Sequence, residues 1–214
     1  MNIIQKINNK INNLKFIKNH NSSVDYWESR YQKGGNSGNG SYGDLAIFKA
    51  KVLNDFVKKN DIKSVIEFGC GDGNQLTLCN YPKYIGLDVS RRAVELCEKK
   101  FKGDKIRSFF LYHPSAFMDN HKLFNCDLSL SLDVVYHLLE DDIYQGYMRH
   151  LFDSANKFVI IYSCDDEDEG LTSPHVRFRK FSKWIEDNII GWILVEKIPN
   201  IYKNSKADFY IYKK

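Results

Sequence analysis

The residues best suited to chemistry lie in two short stretches, Val65-Ile66-Glu67-Phe68-Gly69-Cys70-Gly71-Asp72-Gly73-Asn74 and Tyr84-Ile85-Gly86-Leu87-Asp88-Val89-Ser90. Three alternating glycines behind an apolar run let a backbone turn sharply and approach a ligand, as in a nucleotide-binding strand-turn-helix. Asp88 ends the second apolar run, 21 residues after Glu67. An acid that grips ribose hydroxyls belongs about there, because a carboxylate offers two acceptor oxygens to two donors. A dinucleotide fingerprint, G-x-G-x-x-G, carries a third glycine that permits close helix packing beside a pyrophosphate. Here Asn74 stands at that position, so no pyrophosphate is expected, and spacing alone does not name the ligand. Later in the chain His175, Arg177 and Arg179 alternate so as to share one face if the segment is extended. Such a face suits a phosphate or carboxylate, although a basic surface strand paired with the acids just upstream is the alternative. Those acids, Asp165 to Glu169, read as a solvated loop rather than a metal site, since successive carboxylates cannot all point one way. No metal is expected.

The E-x-G-x-G-x-G pattern resembles motif I of the class I S-adenosylmethionine-dependent methyltransferases. The similarity continues in order through Asp88 and Asp127-Leu128-Ser129-Leu130-Ser131-Leu132-Asp133, and it spans residues 25–214. Tyr26-Trp27-Glu28-Ser29-Arg30-Tyr31, the loop from Gly34 to Gly43, and His175-Val176-Arg177-Phe178-Arg179 are more narrowly similar to small bacterial methyltransferases of surface-polysaccharide and nucleotide-sugar pathways. The resemblance implies S-adenosylmethionine as cofactor, S-adenosylhomocysteine as product, and a pocket shaped by Glu67, Gly69, Gly71, Asp72 and Gly73. It puts Asp88 at the ribose, Val89 among the cofactor-binding residues, and Ala116 and Phe117 against the adenine, where an ordinary turn with one core aromatic is the alternative. Ser131 and Leu132 follow on the fourth strand, and the residues after them lie next to the reactive methyl.

Methyl transfer from a sulfonium is an in-line displacement, so the protein aligns the nucleophile and removes a proton if that nucleophile is a hydroxyl. His137, with a free pKa of about 6.5, is the candidate base, and Asp133, one helical turn earlier, the candidate orienting group. A histidine that only packs under the following helix is the other reading. Tyr42, His175, Arg177 and Arg179 are the candidates for holding a small anionic acceptor, expected to be a sugar or phosphate-bearing precursor of a surface glycan. An RNA or protein methyltransferase is the alternative enzyme. It calls for a broader basic surface, or an N-P-P-Y signature where this chain has Ser131-Leu132-Asp133-Val134. A subunit that binds the cofactor without catalysing transfer is the alternative outside enzymes.

Composition agrees with this reading. A chain of 214 residues, 43% of them hydrophobic, can bury one sizeable core. Its net charge of +4 falls short of a dedicated nucleic-acid binder and admits an anionic small molecule, so no stable nucleic-acid partner is expected. Five scattered cysteines without a C-x-x-C pair or a leader sequence point to a reduced, cytoplasmic protein. No apolar run approaches the roughly 18 residues of a membrane span.

These residues need a scaffold, and the hydrophobic pattern supplies one. Strands are expected near 64–68, 83–88, 106–111, 126–132 and 157–163, with helices near 73–79, 90–101 and 141–155 and a further helical pattern through Leu45, Phe48, Val52, Leu53 and Phe56. That alternation means an α/β fold with a doubly wound, mostly parallel seven-stranded sheet. A helix near 178–188 then precedes two strands, Trp192 to Ile198 and Phe209 to Tyr212, too close for a crossover and therefore an antiparallel C-terminal hairpin. Residues 1–24, with Ile4, Ile7, Ile11 and Leu14 at helical spacing among lysines, are expected to form a basic amphipathic arm that packs on its own domain or on a second copy to give a homodimer, a membrane-surface anchor being the alternative. Residues 25–214 form one domain. The Gly, Asn and Ser loop from 32 to 43 is anchored by aromatic residues on one side and a helix on the other, so that it can close over a bound ligand.

Overall fold

The computed structural model describes residues 22–166, 175–202 and 205–214. Seven strands make one sheet: β1 (Val65–Phe68), β2 (Tyr84–Asp88), β3 (Arg107–Leu111), β4 (Cys126–Leu132), β5 (Ala155–Ser163), β6 (Ile193–Ile198) and β7 (Asp208–Lys213). Their spatial order is β3-β2-β1-β4-β5-β7-β6. The first five run parallel, and β7 inserts antiparallel between β5 and β6. Every residue of β1 and β2 is buried, which is why both segments read as continuous apolar runs rather than as an alternation.

The described helices are α1 (Ser23–Gln32), α2 (Gly43–Lys59), α3 (Arg91–Lys100), α4 (Asp141–Asp153) and α5 (Phe181–Asn188). Successive strand residues point to opposite faces, so two apolar clusters form, one on each side of the sheet. Ile66 and Phe68 meet Met148, Leu151 and Phe152 of α4 and Phe181 of α5. Val65, Leu128 and Leu130 meet Leu53 and Phe56 of α2 and Phe209 of β7. Strand order reverses between β1 and β4, and the crevice beyond the carboxyl ends at that reversal is where ligands bind in open α/β sheets.

The expected helix near 73–79 is a single 3-10 turn, Gln75–Leu78. The chain reaches Pro82 soon after Gly73, and proline cannot continue a helix. Within the turn the Thr77 hydroxyl bonds back to the Asn74 carbonyl at 2.7 Å, while Asn54 of α2 takes the Leu78 carbonyl at 3.0 Å. The helix expected from 178 starts at Phe181, because residues before it are engaged elsewhere. Of the expected arm, only Ser22 to Val24 fall within the described residues. The Ser22 hydroxyl accepts from Asp25 N–H at 3.1 Å and caps α1.

Gly73 has φ of +71°, and a Cβ there would lie 2.9 Å from both Cys97 Sγ and the Phe101 ring of the α3 region. Gly73→Ala is therefore expected to cost about 2–4 kcal/mol in urea unfolding, from left-handed strain plus overpacking. A loss below about 0.5 kcal/mol would contradict this packing.

Candidate functional site

The crevice beyond β1, β2 and β4 opens into a pocket lined from the strand ends, α1 and the loop that follows it. Its floor is made by the backbone after β1. Gly69 and Cys70 donate their N–H groups to the Leu87 carbonyl at 2.7 and 3.0 Å, which ties the glycine loop to the end of β2. Gly71 then donates to Asp88 Oδ2 at 2.8 Å, and Ser90 donates to Oδ1 at 2.9 Å. Burial raises the Asp88 carboxyl to about 6 against these two donors. Glu67 is buried beside it and pushed up to about 7 for the same reason, although Tyr84 donates its hydroxyl to Oε2 at 2.7 Å. Gly71 adopts φ of +58°, and a Cβ on it would sit 2.3 Å from Ser37 Oγ.

That close approach belongs to the loop between α1 and α2. Ser37 and Asp72 bond reciprocally, N–H to carboxylate at 3.0 Å and N–H to hydroxyl at 2.9 Å. Tyr42 donates to the same Asp72 carboxylate at 2.7 Å. Ser37 and Ser41 thereby line the pocket, as does Gln75, whose buried Oε1 has no hydrogen-bond partner among the described residues. Helix α1 lies across the top. Glu28 accepts from the Ser90 hydroxyl at 2.6 Å near one end, and Glu140 accepts from Ser23 N–H and hydroxyl at 2.8 and 2.7 Å at the other. Trp27 and Tyr31 of α1 face the interior.

At the far end, beyond β4, the backbone of Asp133 takes the left-handed conformation, φ +60°. Its carboxylate pairs with fully buried Lys49 at 2.5 Å and accepts from the Tyr136 hydroxyl at 2.8 Å. The expectation that Asp133 orients His137 through a helical turn is corrected here. The turn is 3-10, Val135–His137, and the Asp133 oxygens face Lys49 and Tyr136. His137 is held instead by the His175 carbonyl, 2.8 Å from Nδ1. Its ring stacks on His175 at 5.4 Å and meets the edge of Trp27 at 4.9 Å. Burial pushes its pKa down to about 4, so the ring is neutral at ordinary pH, with the proton on Nδ1 and the lone pair on Nε2.

Glu67, Gly69, Gly71, Asp88, Val89, Leu132, Asp133 and His137 all line this one pocket. Asp72 serves the loop, and Gly73 packs on α3. Ser131 is fully buried with its hydroxyl 2.7 Å from Tyr147. Ala116 and Phe117 bond back through their N–H groups to the His113 carbonyl, which turns the Phe117 ring into the core against Phe68 and Tyr112. Tyr112 and Pro114 line the pocket in their place. Arg177 and Arg179 do not form an anion cradle with His175 and Tyr42. Arg177 donates to the Leu139 carbonyl at 2.8 Å, and Arg179 to the carbonyls of Leu138 and Leu139, with both also on Asp141. Asp165 of the acidic run is buried and bound by Ser182 and Lys180; Glu167 to Glu169 lie outside the described residues. Lys49, Gln75, Trp27 and Tyr31 were missed. The aromatic run at Tyr26-Trp27 was a signal, whereas a lysine in mid-helix carries none. Among the described residues no helix is long and apolar enough to cross a membrane.

No family model matches the sequence. Over 96 residues the chain is 28% identical to the small RNA 2′-O-methyltransferase of Arabidopsis thaliana, a match covering 40% of this chain and 10% of that protein. The chain thus spans about a tenth of the length of this curated relative. The structure is similar to the methyltransferase domain of the bacterial protein CtHen1, with a TM-score of 0.63 at 21% identity over 79% of this chain and 98% of that one. It is also similar to magnesium protoporphyrin IX methyltransferase from Synechocystis, solved with S-adenosylhomocysteine, with a TM-score of 0.65 at 14% identity over 89% and 97%. The fold is that of the class I S-adenosylmethionine-dependent methyltransferases.

Lys49→Met leaves the Asp133 carboxylate with one neutral donor in a mostly buried place. Urea unfolding is expected to show a loss of about 3–5 kcal/mol, with most of it recovered when Asp133→Asn is added. A single-variant cost below about 1 kcal/mol would mean the pair is solvated.

Proposed function

We propose that this protein is an S-adenosylmethionine-dependent methyltransferase that methylates a hydroxyl group. The observation that carries the reading is one pocket with a ribose-type acid, Asp88 on the Gly71 N–H, at one end and a neutral histidine at the other. The residues present fit the cofactor. A Cβ at Gly71 would close the cradle, and Gln75 Oε1 is an unpaired buried acceptor suited to an ammonium. Asp88 would hold the ribose hydroxyls, Val89, Tyr112 and Pro114 the adenine, and Glu67 and Gln75 the amino group of the methionine part. When bound, the cofactor supplies a methyl group on a cationic sulfur.

The chain's own contribution is alignment and proton removal. His137 Nε2 offers a lone pair to the acceptor hydroxyl, and Trp27 and α1 exclude water from it. The walls near His137 are apolar, with Val24, Leu138 and Ile143, and Lys49 is already paired with Asp133. This supports a neutral hydroxyl as the reacting group over a carboxylate or phosphate. An RNA ribose hydroxyl is the acceptor favoured by the match to the Arabidopsis small RNA 2′-O-methyltransferase. A surface-glycan precursor rests on the sequence resemblance alone.

Two outcomes test this. Asp88 must be ionised to accept from ribose, and its carboxyl is raised to about 6, so S-adenosylhomocysteine should bind more tightly as pH rises from about 5 to about 7. Asp88→Asn should weaken binding at neutral pH about 100-fold and flatten that dependence; unchanged affinity by calorimetry removes the ribose assignment. His137→Gln should lower turnover about 10²–10⁴-fold at nearly unchanged cofactor affinity, assayed on a panel of short RNAs and sugar nucleotides. A mild loss would leave alignment as its only role.

A further inference from the structure

We infer that residues 175–179 act as a strap, clamped by Arg179, that sets which ring nitrogen of His137 carries the proton. The inference rests on the reading of His137 as the proton acceptor. The strap bonds to the four consecutive residues Tyr136 to Leu139. Arg177 N–H donates to the Tyr136 carbonyl at 2.8 Å, and the His175 carbonyl receives His137 Nδ1–H at 2.8 Å. The Arg179 guanidinium spans the Leu138 and Leu139 carbonyls, the latter at 2.9 Å, and reaches Asp141 at 2.9 Å. The Arg179 side chain is 13% exposed and its guanidinium lies 4.5 Å over the Tyr144 ring, so its fork is held in one orientation.

Five donors on a planar fork can satisfy two adjacent carbonyls and a carboxylate at once; a lysine ammonium cannot match that geometry. The consequence falls on tautomer choice. A histidine free in water prefers its proton on Nε2, which would turn a donor toward the acceptor hydroxyl and abolish proton removal. The carbonyl of His175 reverses the preference by accepting from Nδ1. Among the described residues no other group does this: the others that face His137 are Trp27 and Arg30 of α1, Asp133, Tyr136 and the His175 ring. None of them is bonded to Nδ1. Arg177 and Arg179 are thus positioning residues, not anion binders.

The test reads the tautomer directly and needs no acceptor. Long-range ¹⁵N–¹H spectra of the full chain with labelled histidine, assigned with His137→Gln, should show His137 protonated on Nδ1 at neutral pH. Arg179→Ala should convert that signal to a mixture of tautomers or to the Nε2–H form, with far-UV circular dichroism and S-adenosylhomocysteine binding retained. Methylguanidine should restore the Nδ1–H signal, and Arg179→Lys should not. His137 carrying its proton on Nε2 in the unmodified protein, or keeping Nδ1–H in the folded Arg179→Ala variant, would overturn the inference. If Arg179→Ala does not fold, Arg177→Met, whose side chain is 43% exposed, takes its place under the same criteria. An intact Nδ1–H signal with His137→Gln fully active would instead sink the base reading and leave the strap standing.

Discussion

The contact between Gly71 N–H and the Asp88 carboxylate is the constraint on which the rest of the site depends. It joins the ends of two parallel strands whose register, Phe68 against Leu87, is set by burial of both faces. A carboxylate at that place is costly to bury, and the two backbone donors offset part of the cost while leaving its remaining lone pairs for a ligand. To present its N–H there, residue 71 must turn left-handed, and the space a side chain would take is filled by Ser37. Glycine is required twice over at one atom's distance. From that point the loop of Ser37 and Tyr42 is anchored on Asp72, and α1 is drawn over the pocket.

Helix α1 converts an open crevice into an enclosed site. Its two acid contacts, Glu28 on Ser90 and Glu140 on Ser23, span elements far apart in sequence. Ser90 also caps α3 through its hydroxyl, 3.1 Å from Ala93 N–H, so the residue that donates its N–H to Asp88 also holds α1 through Glu28. Charge-assisted bonds of this kind are among the stronger polar contacts. Enclosure matters for methyl transfer, because a water molecule is itself a nucleophile and because polar interactions gain strength where it is excluded.

The mostly parallel sheet with its antiparallel C-terminal hairpin, and the strand ends where the glycines and Asp88 lie, were legible in the sequence because parallel strands buried on both faces read as apolar runs. Val65 to Phe68 and Tyr84 to Asp88 left little choice. The same holds for the places of Asp88 and the glycines at the strand ends, which follow from backbone geometry. Side-chain pairing was less legible. Asp133 and His137 are four residues apart, a helical neighbour spacing, yet the left-handed backbone at Asp133 breaks the turn and sends the carboxylate to Lys49, 84 residues away in sequence. Arg177 and Arg179 read as a free basic face because a sequence shows no bare carbonyls, and those of Leu138 and Leu139 are what they bind. Ala116 and Phe117 lie a few residues past the pocket wall at Tyr112 and Pro114, since the turn after β3 is closed by the His113 carbonyl. Lys49 left no trace in the pattern of α2, where a lysine is ordinarily solvated.

The Gly71–Asp88 contact and α1 together enclose one cofactor site. Amide hydrogen exchange of the full chain, with and without S-adenosylhomocysteine, tests it most directly. Exchange is expected to slow at residues 69–73 and 88–90 together with residues 23–32. Protection absent from the glycine loop, or confined to it with α1 unaffected, would contradict it.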